Sequence, residues 1–118
     1  MCSADFAALA LRCVGLVYPT CSEGGGGSVI ACMHHGLIPV LTRAASVDLA
    51  DGGLLLPEAS VPAIRHAVQE LARRPAAELR NLARRAWSLA RERHTRERFA
   101  AAYGEFVREV LLPERFRR

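Results

Sequence analysis

The sequence of 118 residues contains no lysine, because all 16 of its basic residues are arginine. Together with the abundance of alanine, this indicates a coding bias more than a physical requirement. No apolar run approaches the roughly 20 residues that cross a bilayer. The N-terminus has an acid at Asp5 and no basic segment, so it does not resemble a signal peptide. We therefore expect a cytoplasmic protein, and the length and the 51% hydrophobic content predict one globular domain.

Paired cysteines are also missing. The four cysteines form no CxxC pair and are irregularly spaced, at Cys2, Cys13, Cys21 and Cys32. Three of them lie in or beside segments that we expect to be buried, so reduced thiols are predicted. The adjacent His34 and His35 do not combine with these cysteines into a standard zinc spacing. We expect no metal, and we expect His66 and His94 to be surface residues of helices.

Charge is distributed unevenly along the chain. Residues 1–59 carry a formal charge of −3 and residues 60–118 carry +7, which gives the net charge of +4. A basic helical half suits peripheral contact with an anionic membrane, or a set of solvated helix faces with interspersed glutamates. We predict no nucleic-acid partner, because the arginines lack the interleaved aromatic residues of a stacking platform.

Short apolar runs alternate with helical patterns in the first half of the chain. The sequence predicts a helix at 5–12, strands at 13–18, 37–41 and 54–56, and a helix at 28–35 that stops at Gly36. A glycine-rich loop spans 20–27 and a turn spans 51–53. Pro39 lies inside the second strand and predicts an edge position or a bulge there. Buried strands that alternate with helices predict a parallel sheet, as in the last part of a doubly wound α/β fold.

The second half is predicted to be helical. Ser60 and Thr95 are predicted N-caps, and Pro75 is predicted to start the middle helix. The apolar stripes of the three helices are Val61, Ile64, Val68 and Leu71, then Leu79, Leu82, Ala86 and Leu89, then Phe99, Tyr103, Phe106 and Val110. Pro113 is predicted to end the last helix, and Trp87 is predicted to be half-buried packing.

The loop between the first two strands is the segment most indicative of chemistry. In a parallel α/β sheet, ligands bind at the carboxyl ends of the strands. The start of a helix at that edge offers free backbone N–H groups and partial positive charge, which suit a diphosphate. Glycines allow the backbone to approach phosphates closely, and Glu23 precedes them as an acceptor for hydroxyl groups. The alternative is a flexible surface loop.

Residues 17–40 resemble the donor-site segment of the retaining family 4 glycosyltransferases, which have the GT-B fold. The matching residues are Pro19, Ser22, Glu23, Gly24, Gly26, Met33, Gly36, Leu37, Pro39 and Val40, with Ile38 as one added residue. Residues 51–57 resemble a shortened form of the family's Asp-Gly turn and strand, and the helix at 61–71 and the segment at 95–110 resemble its closing helices. The resemblance implies a partial Rossmann-like parallel sheet with C-terminal helices, the C-terminal half of a GT-B enzyme.

The resemblance also implies roles for individual residues. Glu23 and Gly24 match the family's contacts to the transferred sugar, and the backbone at Gly26, Gly27, Ser28 and Val29 matches the helix start that cradles the diphosphate. The family has a second glutamate that binds the ribose, and this sequence has Ala31 there. The family's basic residues that neutralise the diphosphate lie upstream and have no match here. A nucleotide-sugar is the implied substrate, with no cofactor or metal.

Three hypotheses follow for the chain as a whole. In the first, residues 1–59 form the donor site and 60–118 the closing helices of a hexosyltransferase-type enzyme whose acceptor domain is missing, with Met1 an internal start or a truncated gene. In the second, the chain is a non-catalytic Rossmann-like module that binds a phosphate or nucleotide, which Ala31 favours. In the third, it is an inactive fragment.

Overall fold

A computed structural model describes residues 4–111. Its helices and strands, in chain order, are α1 (Ala4–Ala10), β1 (Gly15–Tyr18), α2 (Gly27–His34), β2 (Ile38–Thr42), β3 (Leu54–Leu56), α3 (Val61–Arg73), α4 (Ala76–Arg93) and α5 (Arg96–Phe106). A short 3₁₀ turn, Arg43–Ala45, follows β2, and a π-helical turn, Val107–Leu111, follows α5. The predicted order of helices and strands is confirmed, and the bounds differ by one or two residues at most ends.

The three strands form one parallel sheet in the order β1-β2-β3. Leu16 pairs with Pro39, and Leu41 pairs with Leu55. The connection from β1 to β2 runs through α2, and five helices accompany the sheet. The predicted α/β class is therefore confirmed, and the arrangement is compatible with a partial Rossmann-like fold.

The prediction from Pro39 was wrong, because its strand lies in the centre of the sheet. Ile38 donates its N–H to the oxygen of Val14, on the β1 side. Donors alternate between the two sides of a parallel strand, so the nitrogen of Pro39 faces β3. Pairing with β3 begins only at Val40, opposite Leu54. The missing N–H of proline therefore removes no bond from the sheet.

Helices cover both faces of the central strand. Leu41 packs with Val29 and Met33 of α2, and the same cluster includes Ala86 and Leu89 of α4. On the other face, a second cluster contains Val40, Leu56 and Ala67, and Ile64 and Leu71 of α3 pack against it. The predicted stripe of α4 is confirmed as core at its buried members, Leu82, Ala86 and Leu89.

The predicted helix ends rest on specific contacts. The hydroxyl of Ser60 accepts a hydrogen bond of 3.3 Å from the backbone N–H of Ala63. The hydroxyl of Thr95 accepts one of 3.2 Å from the N–H of Arg98. Gly36 has a φ of +79°, the left-handed conformation that ends α2. The predicted stop at Pro113 lies outside the described residues.

The apolar stripes of α3 and α5 are less buried than the stripe of α4. In α3, Val61 and Val68 remain exposed, whereas Ile64 and Leu71 pack inward. Helix α5 buries no residue, and Phe99, its most exposed aromatic side chain, is 70% accessible. Within residues 4–111, no helix combines the length and apolar character needed to cross a membrane.

The cysteines lie closer to the surface than expected. Cys13 and Cys21 are exposed, and Cys32 is half-buried. Cys13 and Cys21 are free thiols, while Cys2 lies outside the described residues. Cys13 and Cys21 are exposed because each lies in a connection next to a strand rather than within it.

Candidate functional site

Loop 19–26 crosses the carboxyl edge of the sheet, where β1 ends at Tyr18 and β2 ends at Thr42. Thr42 donates a hydrogen bond of 2.5 Å from its hydroxyl to the backbone oxygen of Thr20. The hydroxyl of Thr20 in turn donates to the oxygen of Ser22 at 3.0 Å. These bonds attach the first part of the loop to the end of the central strand.

Glu23 is half-buried in this loop, and its carboxylate is held by Tyr18. The Tyr18 hydroxyl donates a hydrogen bond of 2.5 Å to Oε2 of Glu23. This bond, together with desolvation and the nearby negative charge, raises the pKa of Tyr18 above its ordinary value of 10.0. The phenol remains a donor at neutral pH and fixes the orientation of the carboxylate.

The glycines of the loop differ in their surroundings. A Cβ at Gly24, Gly25 or Gly27 would meet no atom within 4 Å. A Cβ at Gly26 would lie 2.5 Å from Cγ2 of Val47 and 3.1 Å from the oxygen of Ala45. Gly26 is therefore required by the close approach of the segment that follows β2, whereas the other three have open space beside them.

The start of α2 presents a limited set of backbone groups. Gly27 donates its N–H to Gly25 at 2.7 Å, and Ile30 donates to Gly26 at 2.9 Å. Val29 has 0% of its surface accessible, so a ligand cannot reach its backbone in this conformation. Ser28 is exposed, and the helix has no side-chain cap. The exposed residues of the predicted cradle are Gly27 and Ser28, and the N–H of Gly27 is already bonded to Gly25.

Ala31 lies on α2 with part of its surface accessible, so it is not enclosed by the core. Its backbone oxygen accepts a hydrogen bond of 2.9 Å from Nδ1 of His35. The His35 ring also makes an edge contact with Phe6 of α1, with ring centres 5.4 Å apart. Ala31 is half-buried, so a longer side chain at this position would begin from a partly accessible surface. Because α2 also carries Gly27 and Ser28, such a side chain would belong to the same helix as the cradle.

The histidines join the helices to each other. His34 donates from Nε2 to the backbone oxygen of His94 at 3.0 Å. His94 is half-buried rather than a surface residue, and its Nε2 is a buried atom without a hydrogen-bond partner in the part of the chain described. The prediction of a surface position was wrong because His94, the residue that follows α4, lies against His34 of α2. Residues 4–111 contain no cluster of three or more His, Cys, Asp or Glu arranged to hold a metal ion.

Three residues at this edge were not predicted to belong to the site: Tyr18, Thr42 and Arg43. Tyr18 and Thr42 hold the loop, and their position at the last residue of a strand was the only available signal. Arg43 follows β2 directly and is exposed at the same edge. A cation at that edge would attract a phosphate group.

No protein-family model matches the chain, and it matches no curated protein and no solved structure. The interpretation of the site therefore depends on its geometry and on the chemistry of its residues.

Proposed function

We propose that the carboxyl edge of the sheet binds a nucleotide-sugar, and that the chain is the donor-binding portion of a retaining glycosyltransferase of the GT-B type. The observation that carries this proposal is the position of Glu23. Its carboxylate is half-buried, oriented by Tyr18 and located in the loop that leads into α2. A carboxylate held in this way accepts hydrogen bonds from neighbouring sugar hydroxyls.

The start of α2 supplies the second half of the proposed site. Gly27 and Ser28 are accessible there, and the helix terminus carries partial positive charge. A diphosphate placed against them lies near the segment that begins with Arg43, because that segment packs on Gly26 through Val47. We assign Arg43 the neutralising role that the family gives to residues upstream.

Ala31 supports a different candidate function, a module that binds a phosphate or nucleotide without catalysis. Alanine cannot accept hydrogen bonds from a ribose, and the carboxylate of the family pattern is therefore missing from α2. In such a module the diphosphate supplies most of the affinity and the sugar supplies little. The two candidate functions differ in whether Glu23 accepts hydrogen bonds from the sugar of the ligand.

Calorimetric titration of the purified chain tests the proposal, with UDP-glucose, GDP-mannose and ADP-glucose as donors and with UDP, GDP and ADP as references. A nucleotide-sugar that binds more tightly than its own nucleoside diphosphate supports the donor site. Equal affinity for the two supports the non-catalytic module. The absence of heat for all six at millimolar concentration contradicts both.

A further inference from the structure

The outer face of α4 carries a straight row of basic residues around one aromatic ring. Positions 80, 84, 87 and 91 are spaced four, three and four apart, which aligns their side chains along one side of a helix. The row consists of Arg80, Arg84, Trp87 and Arg91, and all four are exposed. We call these four residues the arginine–tryptophan row; they span roughly 16 Å at 1.5 Å per residue.

This row lies away from the core of the protein. The opposite side of α4 is buried through Leu82, Ala86 and Leu89 against α2 and β2. Trp87 keeps 43% of its surface accessible, so the prediction of half-buried packing was wrong: the residue is exposed. The Arg91 guanidinium lies over its ring, 5.2 Å from the centroid. The only tryptophan of the chain is therefore placed among arginines rather than in the core.

The arginines of the row are not neutralised by nearby acids. In residues 4–111, the ion pairs of the helices involve Arg74, Arg85 and Arg93, none of which belongs to the row. The two acids of α4 are Glu78 and Glu92. Neither is three or four residues from a member of the row, so neither faces one across a helical turn. The row is a strip of positive charge with an aromatic centre.

We propose that the arginine–tryptophan row docks this protein on an anionic membrane surface. Arginines on an exposed helix bind anionic lipid head groups, and an indole ring prefers the boundary between head groups and acyl chains. A straight row on a convex helix suits a flat surface. A single aromatic ring is too few to stack successive bases, so nucleic acid is the less suitable partner. This site is independent of the donor site and does not depend on its function.

Co-sedimentation with lipid vesicles tests the row. Wild-type protein is expected to bind vesicles of phosphatidylcholine with phosphatidylglycerol, and not vesicles of phosphatidylcholine alone. Each arginine near an anionic surface contributes roughly a fivefold increase in affinity, so the triple variant R80Q/R84Q/R91Q is expected to bind roughly a hundredfold more weakly. The matched control is R65Q/R73Q/R108Q, which removes the same charge from exposed arginines outside the row.

Trp87 provides an independent readout, because it is the only tryptophan in the sequence. Its fluorescence is expected to shift to shorter wavelength on binding and to be quenched by brominated lipids. Equal loss of binding in both triple variants would show an effect of net charge alone and overturn the proposal. Binding to anionic vesicles without a change in Trp87 fluorescence would overturn it too, as would binding to single-stranded DNA with none to vesicles.

Discussion

Tyr18, the last residue of β1, donates its hydroxyl to the carboxylate of Glu23, five residues further along the chain, at 2.5 Å. The bond closes the first part of the loop onto the end of the strand. It also occupies Oε2 of Glu23, and Oε1 is the other carboxylate oxygen that can accept a hydrogen bond from a ligand. Tyr18 is therefore a positioning residue, and Glu23 is the residue proposed to contact the sugar.

The ionisation of Tyr18 is expected to depend on Glu23. Its pKa is raised above 10.0 mainly by the hydrogen bond to that carboxylate. A raised pKa in the folded state stabilises the fold fully below pH 10, and this contribution is lost as the pH rises through the folded pKa. The variant Y103F leaves Tyr18 as the only tyrosine. In a pH titration followed by ultraviolet absorbance, its tyrosinate should form at a higher pH in the folded protein than in a denatured sample.

Glu23→Leu in the Y103F background serves as the comparison. Without the acceptor carboxylate, the pKa of Tyr18 is expected to fall toward its ordinary value. The same titration curve with and without Glu23 would rule out the hydrogen bond in solution.

Neighbouring glycines are expected to respond in opposite ways to substitution. Gly26→Ala places a methyl group 2.5 Å from Cγ2 of Val47, and overpacking of this kind costs about 1–3 kcal/mol. The methyl group of Gly27→Ala meets no atom within 4 Å. This variant is expected to be more stable than the wild type by about 0.4–1 kcal/mol, because alanine lowers the conformational entropy of the unfolded chain. Urea denaturation of both variants measures the difference, and equal stabilities would contradict the packing of Val47 on Gly26.

Gly27→Val tests the proposed cradle directly. The open space around Gly27 allows the chain to fold with a bulky side chain, while the branched group obstructs a diphosphate at the start of α2. We expect a normal melting temperature and at least a tenfold loss of affinity for a nucleoside diphosphate by calorimetry. An unchanged affinity would show that the loop connects β1 to α2 without binding the diphosphate.

Much of the fold follows from local patterns, and the contacts of the site do not. The spacing of Leu82, Ala86 and Leu89 and the caps at Ser60 and Thr95 depend on nearby residues, so the sequence predicted them. The central position of Pro39 depends on where β3 begins to pair, which is a property of the register. The burial of His94 depends on a contact with His34, 60 residues away.

In the candidate site too, the features set by neighbouring residues were predicted, and those set by contacts between distant residues were not. The sequence predicted that Glu23 and the glycines lie after β1, because strand, loop and helix follow one another along the chain. It did not predict that Val29 is covered, because the packing of α2 on β2 and α4 determines that. The roles of Glu23, Gly24, Gly27 and Ser28 in binding a ligand stay predictions, as do those of Gly26 and Val29, which are buried in this conformation.

Ala31→Glu is expected to fold normally. The alternative that Ala31 is enclosed against the neighbouring strand is not what the structure shows, because part of its surface is accessible. Ala31 is half-buried, so the substitution is expected to cost about 1 kcal/mol, the typical effect of a point mutation, rather than several. If the ribose lies beside α2, the new carboxylate strengthens binding of a ribonucleotide-sugar over its 2′-deoxy analogue. A stable variant with the wild-type ratio of these two affinities would place position 31 away from the ribose.

Stability is expected to fall as the pH drops below neutrality. Desolvation is the main cause that lowers the pKa of His94 below 6.5, with repulsion from His34 and Arg93 added and attraction to Asp48 opposing it. A lowered pKa in the folded state gives full stability above pH 6.5, which is lost as the pH falls through the folded pKa. Thermal denaturation between pH 7 and pH 5 should show this slope in the wild type and a flatter one in His94→Gln. The control, His66→Gln, changes an exposed histidine of α3 and should keep the wild-type slope.

The most direct test of the donor site compares two ligands in one variant. In Glu23→Ala, a nucleotide-sugar loses one or two charge-assisted hydrogen bonds, worth roughly 1.5–3 kcal/mol each, whereas its nucleoside diphosphate loses none. Calorimetry with the tightest of UDP-glucose, GDP-mannose and ADP-glucose is expected to show at least a tenfold weaker affinity for the sugar nucleotide and an unchanged affinity for the diphosphate. The exposed Glu105→Ala serves as the control and should leave both affinities unchanged. Equal affinities of Glu23→Ala and the wild type for the nucleotide-sugar would contradict the assignment of this site.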